Sequence, residues 1–337
     1  RGAWITEHVW EPSLPSLLKS SGMDYTFLDD YHFKSAGFRG EELLEPCLTE
    51  DEGKTVVVFP VCRELVNSLH RSSPQEFLWA LQNKAAESDH AVISVILPGE
   101  ELGARPETHE RFFDEGWFSE LFRLLSEERR HRRLSVTLPY RFAREHVPRR
   151  RGYFPPTSYR EMMRRADAAP GANDSAPDDA VSGNGARSER REDGDGRAQG
   201  GFFRQFLTRY PESNRMYAKM HYTHILVNQL RGDKYRKQLA REELWKGQCH
   251  NAYWHARGGG IYHNRLRKTV YASLIEAEKV TREKGVFIPA LMHLDFDMDG
   301  LPEYLYQGHH INAYVHLSGG VLFELDFLPI PWNYLDT

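Results

Sequence analysis

What the sequence lacks narrows it first. Only three cysteines occur in 337 residues, Cys47, Cys62 and Cys249. The number is odd and the spacing matches no metal site, which fits a reduced compartment better than a disulfide scaffold. Reduced thiols make a cytoplasmic location the expectation. No run approaches the roughly 18 consecutive apolar residues of a membrane helix. No secretory leader is visible, and the chain starts at Arg1 without an initiator Met. Charge of one sign is also missing. Lys and Arg number 44 against 48 Asp and Glu, a net −4, so nothing electrostatic recruits nucleic acid or a membrane. No glycine loop carries the lysine of a phosphate-binding loop. The histidines at 221, 224, 309 and 310 fall in no trusted ligand pattern. Neither a metal nor a cofactor is expected.

What is present is ordinary for a soluble globular protein: 40% hydrophobic and 27% charged residues. The length suits two or three domains with their own cores. Aromatics reach 12%, with seven Trp and sixteen Tyr, which serves a carbohydrate-facing surface and a core equally well.

Residues 1–166 read as alternating strand and helix. Strands are expected at Gly2–Thr6, Tyr25–Leu28, Val56–Phe59 (closed by Pro60), Ala91–Leu97 and Leu134–Leu138. The fourth is apolar throughout, so burial on both faces is expected. Helices are expected at Leu14–Ser21 (stopped by Gly22), Gln75–Glu87 (behind Pro74), and Glu107–Glu127, where Phe113, Trp117, Leu121 and Leu125 recur at helical spacing. Such alternation argues for an α/β fold with parallel strands and right-handed crossovers. Residues 167–200 contain almost no large apolar side chain and are expected to be a disordered insert in a surface loop. Residues 201–285 read as a helical bundle, with helices near 212–231, 235–246 and 266–284. From 286 to 337 the alternation is that of antiparallel strands, at 304–306, 312–316 and 321–326. It reads as the start of a truncated β-sandwich.

Three constellations could carry chemistry. The first is Trp4-Ile5-Thr6-Glu7-His8-Val9-Trp10-Glu11-Pro12, with Glu7 at the end of a strand and Trp4 and Trp10 expected to wall it. The plainer alternative is an N-cap acid beside two core tryptophans. Asp29, Asp30 and His32 end the next strand and should share that rim. A retaining glycosidase needs two carboxylates about 5–5.5 Å apart. The second is the acidic loop Leu97-Pro98-Gly99-Glu100-Glu101-Leu102-Gly103, a site loop or a solvated turn. The third is Gln248 to Tyr262, in which Asn251, Tyr253, Trp254 and His255 precede three glycines. It could hold a sugar, or be a helix-to-helix turn with core aromatics.

Taken together, these segments resemble glycoside hydrolase family 57, the retaining 4-α-glucanotransferases and α-amylases. The resemblance rests on WITEHVWEP, FLDDYHFKSAG, VVVFPVCREL, YFPPTSYREMM, FFRQFLTRYPESNRMYAKM and QCHNAYWHARGGGIY, in that order. It implies an incomplete (β/α)7-type barrel, a helical bundle and the opening of a β-sandwich, acting on α-glucan or maltooligosaccharide. It implies Glu7 as the nucleophile. Tyr253, Trp254 and His255 fall on the family's Tyr-Trp-His, which helps hold the sugar, and Trp4, Trp10, Asp29, Asp30, His32 and Asn251 stay candidate substrate contacts from the constellations above.

The departures from the family pattern bear on activity. The family's acid/base aspartate lies in a loop that here reads Leu97-Pro98-Gly99-Glu100, so only Glu100 could substitute, by a two-residue shift. The Asn-Asp of the last motif reads His250-Asn251. The acidic pair after the third strand reads Cys62-Arg63, and the usual Arg of the nucleophile motif is His8. The family's opening strands have no counterpart in this chain. Two readings follow: a catalytically impaired glucan hydrolase or transferase, and a non-catalytic relative that binds glucan or a protein partner.

Overall fold

The computed structural model describes residues 1–163 and 203–336, except 105, 132, 133, 159, 161, 162, 255–259, 283 and 284. The expected insert at 167–200 and His255 lie outside the described residues. The described residues fall into two compact units, 1–163 with Phe203, and 204–336. No described helix is long and apolar enough to cross a membrane.

The first unit is a five-stranded mixed sheet with helices. β1 is Gly2–Ala3, β2 Tyr25–Asp29, β3 Cys47–Asp51, β4 Lys54–Val61 and β5 Arg150–Arg151, in the order β1-β2-β4-β3-β5. β2 and β4 run parallel at the centre, Tyr25 opposite Val57 and Asp29 opposite Val61. The sheet departs from the expected all-parallel order. β3 pairs antiparallel with β4 across the two-residue turn Glu52-Gly53, both at positive φ. Two left-handed residues make the turn whose twist suits a tight hairpin. Pro60 does not close β4. The β3 ladder ends at Val58, so the N–H that Pro60 lacks has no acceptor to miss on that side.

Three other expectations fail for related reasons. Ala91–Leu97 forms no strand. A single parallel bridge joins Ser94 to Val61, and its side chains are only half-buried. Its backbone makes two separate hydrogen bonds, Cys62 N to Ser94 O at 2.9 Å and Val92 N to Leu44 O at 2.8 Å, to different parts of the chain, so no continuous ladder forms. Leu134–Leu138 is largely exposed and unpaired as a strand. The Glu107–Glu127 helix is broken into Pro106–His109, a π-turn at Glu110–Asp114 and a helix at Trp117–Arg130, because Gly116 takes φ 74°. The break turns Phe112 inward and leaves Phe113 exposed.

One face of the sheet packs Trp10, Leu28, Phe33, Phe38, Cys47, Val58 and Phe154 together. A second cluster holds Cys62, Leu65, Leu69, Phe77, Phe112, Trp117 and Leu121. Each large side chain so buried contributes about 1.5–3 kcal/mol. Burial also pushes the Cys47 thiol up to about 12, which makes it inert.

In the second unit, helices Pro211–Gln229, Lys234–Gly247 and Asn264–Thr281 pack on one another. Asp233 caps the second through Arg236 N at 2.8 Å. A five-stranded antiparallel sheet follows: β6 Ala290–Leu294, β7 Glu303–Gln307, β8 Ile311–His316, β9 Val321–Phe327 and β10 Trp332–Asn333, in the order β10-β9-β8-β7-β6. Its inner face lays Leu305, Tyr314, Phe323 and Phe296 against Ala218 and Tyr222 of the Pro211–Gln229 helix.

A buried polar cluster joins the same helices and sheet. Lys219 has no solvent exposure. Its Nζ lies 2.5 Å from Asp326 Oδ2, 3.0 Å from Glu278 Oε2 and 3.6 Å from Glu324 Oε1. Arg282 closes on Glu278 at 2.5 Å, and Asn312 donates to both Glu278 and Asp326.

Candidate functional site: the turn at Glu7

β1 is shorter than expected because the chain cannot stay extended past Ile5. It pairs with β2 only at Gly2 and Ala3. A Cβ on Gly2 would come within 2.2 Å of the Tyr25 ring, so glycine lets that ring lie against β1. Thr6–His8 then close a 3-10 turn, with Glu7 at φ 55°, ψ 15° and His8 at φ 48°. Two consecutive left-handed residues with side chains cost roughly 1–2 kcal/mol each. Such strain persists only where the surroundings over-determine it, and it concentrates at functional sites.

The surroundings can be named. His8 N donates to Ile5 O at 3.1 Å and Val9 N to Thr6 O at 3.3 Å. The buried Ser158 hydroxyl donates to Glu7 O at 2.6 Å. Buried His32 donates Nε2–H to His8 O at 2.7 Å. Downstream, Trp10 and Thr157 exchange two backbone hydrogen bonds, at 2.7 and 3.1 Å. The Glu7 and His8 carbonyls are therefore both held, and half-buried Glu7 is presented by a fixed backbone.

The two tryptophans do not flank the carboxylate as expected. Trp10 is 1% exposed and packs edge-on against Phe154, so it belongs to the core. Its backbone pairing with Thr157 lays the indole into the cluster of Leu28, Phe33 and Phe154. Trp4 is 53% exposed and meets the His8 ring at 4.5 Å.

Asp29 and Asp30 end β2 beside β1. Asp29 caps the helix Asp30–Ser35 through Tyr31 N at 3.1 Å. Burial, then a hydrogen bond with Asp30, raises its carboxyl to about 7. Burial also works against ionising Asp30, but the proton on Asp29 and the Lys34 ammonium at 2.7 Å hold it below its usual value. The pair thus keeps one proton near neutrality. Arg63, where the family pattern has an acid, sits 3.8 Å from Asp29.

His8 and His32 are neutral. Burial, then the repulsion that a charged His8 would meet from His32 and Arg63, takes His8 to about 3. Burial takes His32 to about 4, against the hydrogen bond to His8 O. These shifts set a pH dependence. The stability carried by the two imidazoles is complete above their ordinary value near 6.5 and is lost as the pH falls toward 4 and 3. Asp29 has the opposite sign: its contribution is complete below 3.8 and is lost as the pH rises through 7. Two imidazoles shifted this far outweigh one carboxyl. The melting temperature should fall between pH 6.5 and 4, and more steeply in Asp29→Asn, which cannot gain from protonation. A flat profile across that range would show that the imidazoles are solvated.

The loop at 97–103 differs in kind. Leu97 packs against the Phe77–Phe112–Trp117 cluster. Gly99–Leu102 form a 3-10 turn, and Glu101 meets His70 Nε2 at 3.0 Å. Glu100 lies on that turn, but its side chain is outside the description. In the second unit, Asn251 lies on the turn His250–Ala252. Tyr253 and Trp254 are buried, and Tyr253 Oη donates to Gly247 O at 2.5 Å. Sequence reasoning did not find Ser158, because a hydroxyl 151 residues from its acceptor leaves no local pattern.

Comparison with known proteins bears on what this site is. A family model described as glycosyl hydrolase family 57 matches residues 1–163, and one described as alpha-amylase/4-alpha-glucanotransferase, middle domain, matches residues 201–281. The chain is 32% identical over 338 residues to alpha-amylase 1 of Dictyoglomus thermophilum, covering 99% of this chain and 47% of that protein. It is 31% identical over 346 residues to the 4-alpha-glucanotransferase of Thermococcus kodakarensis, covering 100% of this chain and 49% of that one. The solved structure of the 4-alpha-glucanotransferase from Thermococcus litoralis superposes with a TM-score of 0.79 at 29% identity, over 99% of this chain and 50% of that one. The chain spans about half the length of the relatives it matches. With the two family models in sequence order and these relatives aligned from end to end of it, the chain belongs to glycoside hydrolase family 57.

Proposed function

We propose that this chain acts on α-glucans, maltooligosaccharides included, by the double displacement of retaining glycosidases, with Glu7 as nucleophile and acid/base assistance impaired. Residues 1–166 are read as an incomplete (β/α)7-type barrel, 201–285 as a helical bundle and 286–337 as the opening of a β-sandwich. One observation carries the reading: Glu7 sits on a strained left-handed turn whose two carbonyls are clamped by Ser158 and His32. A side chain so presented starts from a fixed Cα, and orientation is a large part of what catalysis needs. Glu7 would attack the anomeric carbon, break the glycosidic C–O bond and form a glycosyl ester. Water or a sugar hydroxyl would then attack that carbon and release Glu7. The exposed face of Trp4 suits a sugar ring. His8 brings no positive charge to the turn, because its imidazole is held neutral.

The leaving oxygen needs a proton in the first step. Leu97 and Pro98 cannot supply one, and general acid assistance is worth ~10²–10⁴ in rate. A leaving group that needs no proton bypasses that loss. α-Maltosyl fluoride should therefore be consumed faster than maltoheptaose by on the order of 10²–10⁴, measured by fluoride release and by chromatography of the products. Equal rates would mean that a competent acid/base is present, and the impaired reading would fall.

The apolar packing of Leu97 also favours a second reading, a non-catalytic protein that binds α-glucan or a protein partner. Calorimetric binding of maltoheptaose with neither substrate consumed would select the glucan-binding form.

A further inference from the structure

We infer that the β6–β7 turn is a calcium site, built by Asp295, Asp297, Asp299 and Glu303. The stretch reads Asp295-Phe296-Asp297-Met298-Asp299-Gly300-Leu301-Pro302-Glu303. Carboxylates fall at positions 1, 3, 5 and 9, with glycine at 6 and a backbone carbonyl due at 7. These are the first nine places of a calcium loop. The loop departs from the helical version at position 12, where β7 supplies Tyr306 instead of a glutamate, so water must complete the shell.

The turn is folded for the purpose. Met298 takes φ 63° and Gly300 φ 91°. Asp295 accepts from Asp299 N at 3.1 Å and Gly300 N at 3.0 Å, and Asp299 accepts from Leu301 N at 2.7 Å. Phe296, 4% exposed, anchors the loop in the core. One oxygen from each of Asp295, Asp297 and Glu303 lies within 4.8 Å of the other two. Oxygens on opposite sides of a calcium ion are about 4.6–5.2 Å apart, twice the 2.3–2.6 Å bond.

Acidic turns are common without an ion, and what distinguishes this one is Glu303. Its side chain has no solvent exposure. Oε2 accepts from Phe296 N at 2.6 Å, while Oε1 receives no hydrogen bond, and neither does Asp297 Oδ1. A buried carboxylate oxygen without a donor is costly, and a carboxylate among three others more so. Its nearest positive group is His316 Nε2, 3.4 Å from Glu303 Oε1 and 3.1 Å from Asp299 Oδ2. A divalent cation removes both costs. The acidic donors are all hard oxygens in an irregular loop, which suits calcium better than magnesium, with its strict octahedron and retained water, or zinc. Asn214 of the Pro211–Gln229 helix donates to Asp297 O at 3.0 Å, so the ion would fasten this turn to that helix.

The test uses the full chain, freed of metal with EGTA, titrated with CaCl₂ by calorimetry and melted with and without it. The expected result is a saturable one-to-one isotherm and a melting temperature about 5 °C or more higher at a hundredfold excess over Kd. Asp297→Asn and Glu303→Gln should each weaken binding at least ~10-fold. Asp299→Asn is the second variant should either fail to fold by circular dichroism. His316→Ala should bind calcium as well or more tightly, because it removes the competing cation. No saturable calcium heat from the folded chain would overturn the inference. So would zinc binding in preference to calcium and lost in His316→Ala, which would mean a nitrogen ligand.

Discussion

Lys219→Met should cost about 3–5 kcal/mol of stability, the toll of removing one partner from a buried ion pair. The reason lies in the count of charges around it. Lys219 and Arg282 face Glu278, Asp326 and Glu324, and Lys219 and Glu278 have no exposure at all. Burial first, then the negative charge of Asp326, raises Glu324 well above the carboxylate range, so it is neutral. Burial opposes charging Lys219, but Asp326 and Glu278 more than compensate and keep it protonated. Two cations then balance two anions. Methionine fills the same volume yet leaves Asp326 with neutral partners, the amides of Asn312 and Asn333 and the Glu324 carboxyl, in place of the ammonium. Urea unfolding of the second unit's helical signal measures the loss. Lys219→Met combined with Asp326→Asn should recover a large part of it, since the stranded charge is gone. Equal stability of wild type and Lys219→Met would mean that the cluster is solvated.

Glu7→Gln should lower any turnover of α-maltosyl fluoride by ~10³ or more, the scale on which removing a nucleophile is felt. The amide keeps the size and hydrogen-bonding reach of the side chain but cannot form the ester. Glu7→Gly makes the complementary case. Glycine adopts φ 55° without the side-chain penalty, so this variant should gain roughly 1 kcal/mol in stability while losing activity. Azide, small enough to enter the vacated space, should restore fluoride release in Glu7→Gly and yield a glycosyl azide of inverted configuration. Full activity in Glu7→Gln would remove Glu7 from the mechanism. A destabilised Glu7→Gly would show that the turn needs its side chain.

Much of the fold was legible because it follows from local pattern. Gly22 at φ 77° ends the Leu14–Ser20 helix, and Ser73 with Pro74 and Glu76 starts Pro74–Ala86 with a reciprocal cap. The alternation at 303–307 places Glu303, Leu305 and Gln307 inward and Tyr304 and Tyr306 outward, as period two requires. The hairpin at Glu52-Gly53 and the D-x-D-x-D-G spacing at 295–300 also carry local signals, a glycine-closed two-residue turn and alternate carboxylates ahead of a glycine.

The sequence by itself determined the helices with caps, the central strands at 25–29 and 54–61, the outer antiparallel strands, and the motifs that place Glu7. Tertiary structure alone decided that Ala91–Leu97 is no strand, because a ladder needs partners and an apolar run does not specify them. It decided that Trp10 joins the core while Trp4 faces water. It decided that Ser158 and His32, 151 and 24 residues from the carbonyls they bind, hold the turn under Glu7. Periodicity reports which side of an element is buried. Which distant donor meets a carbonyl, and which cation meets a buried carboxylate, is set by the packing of the whole unit.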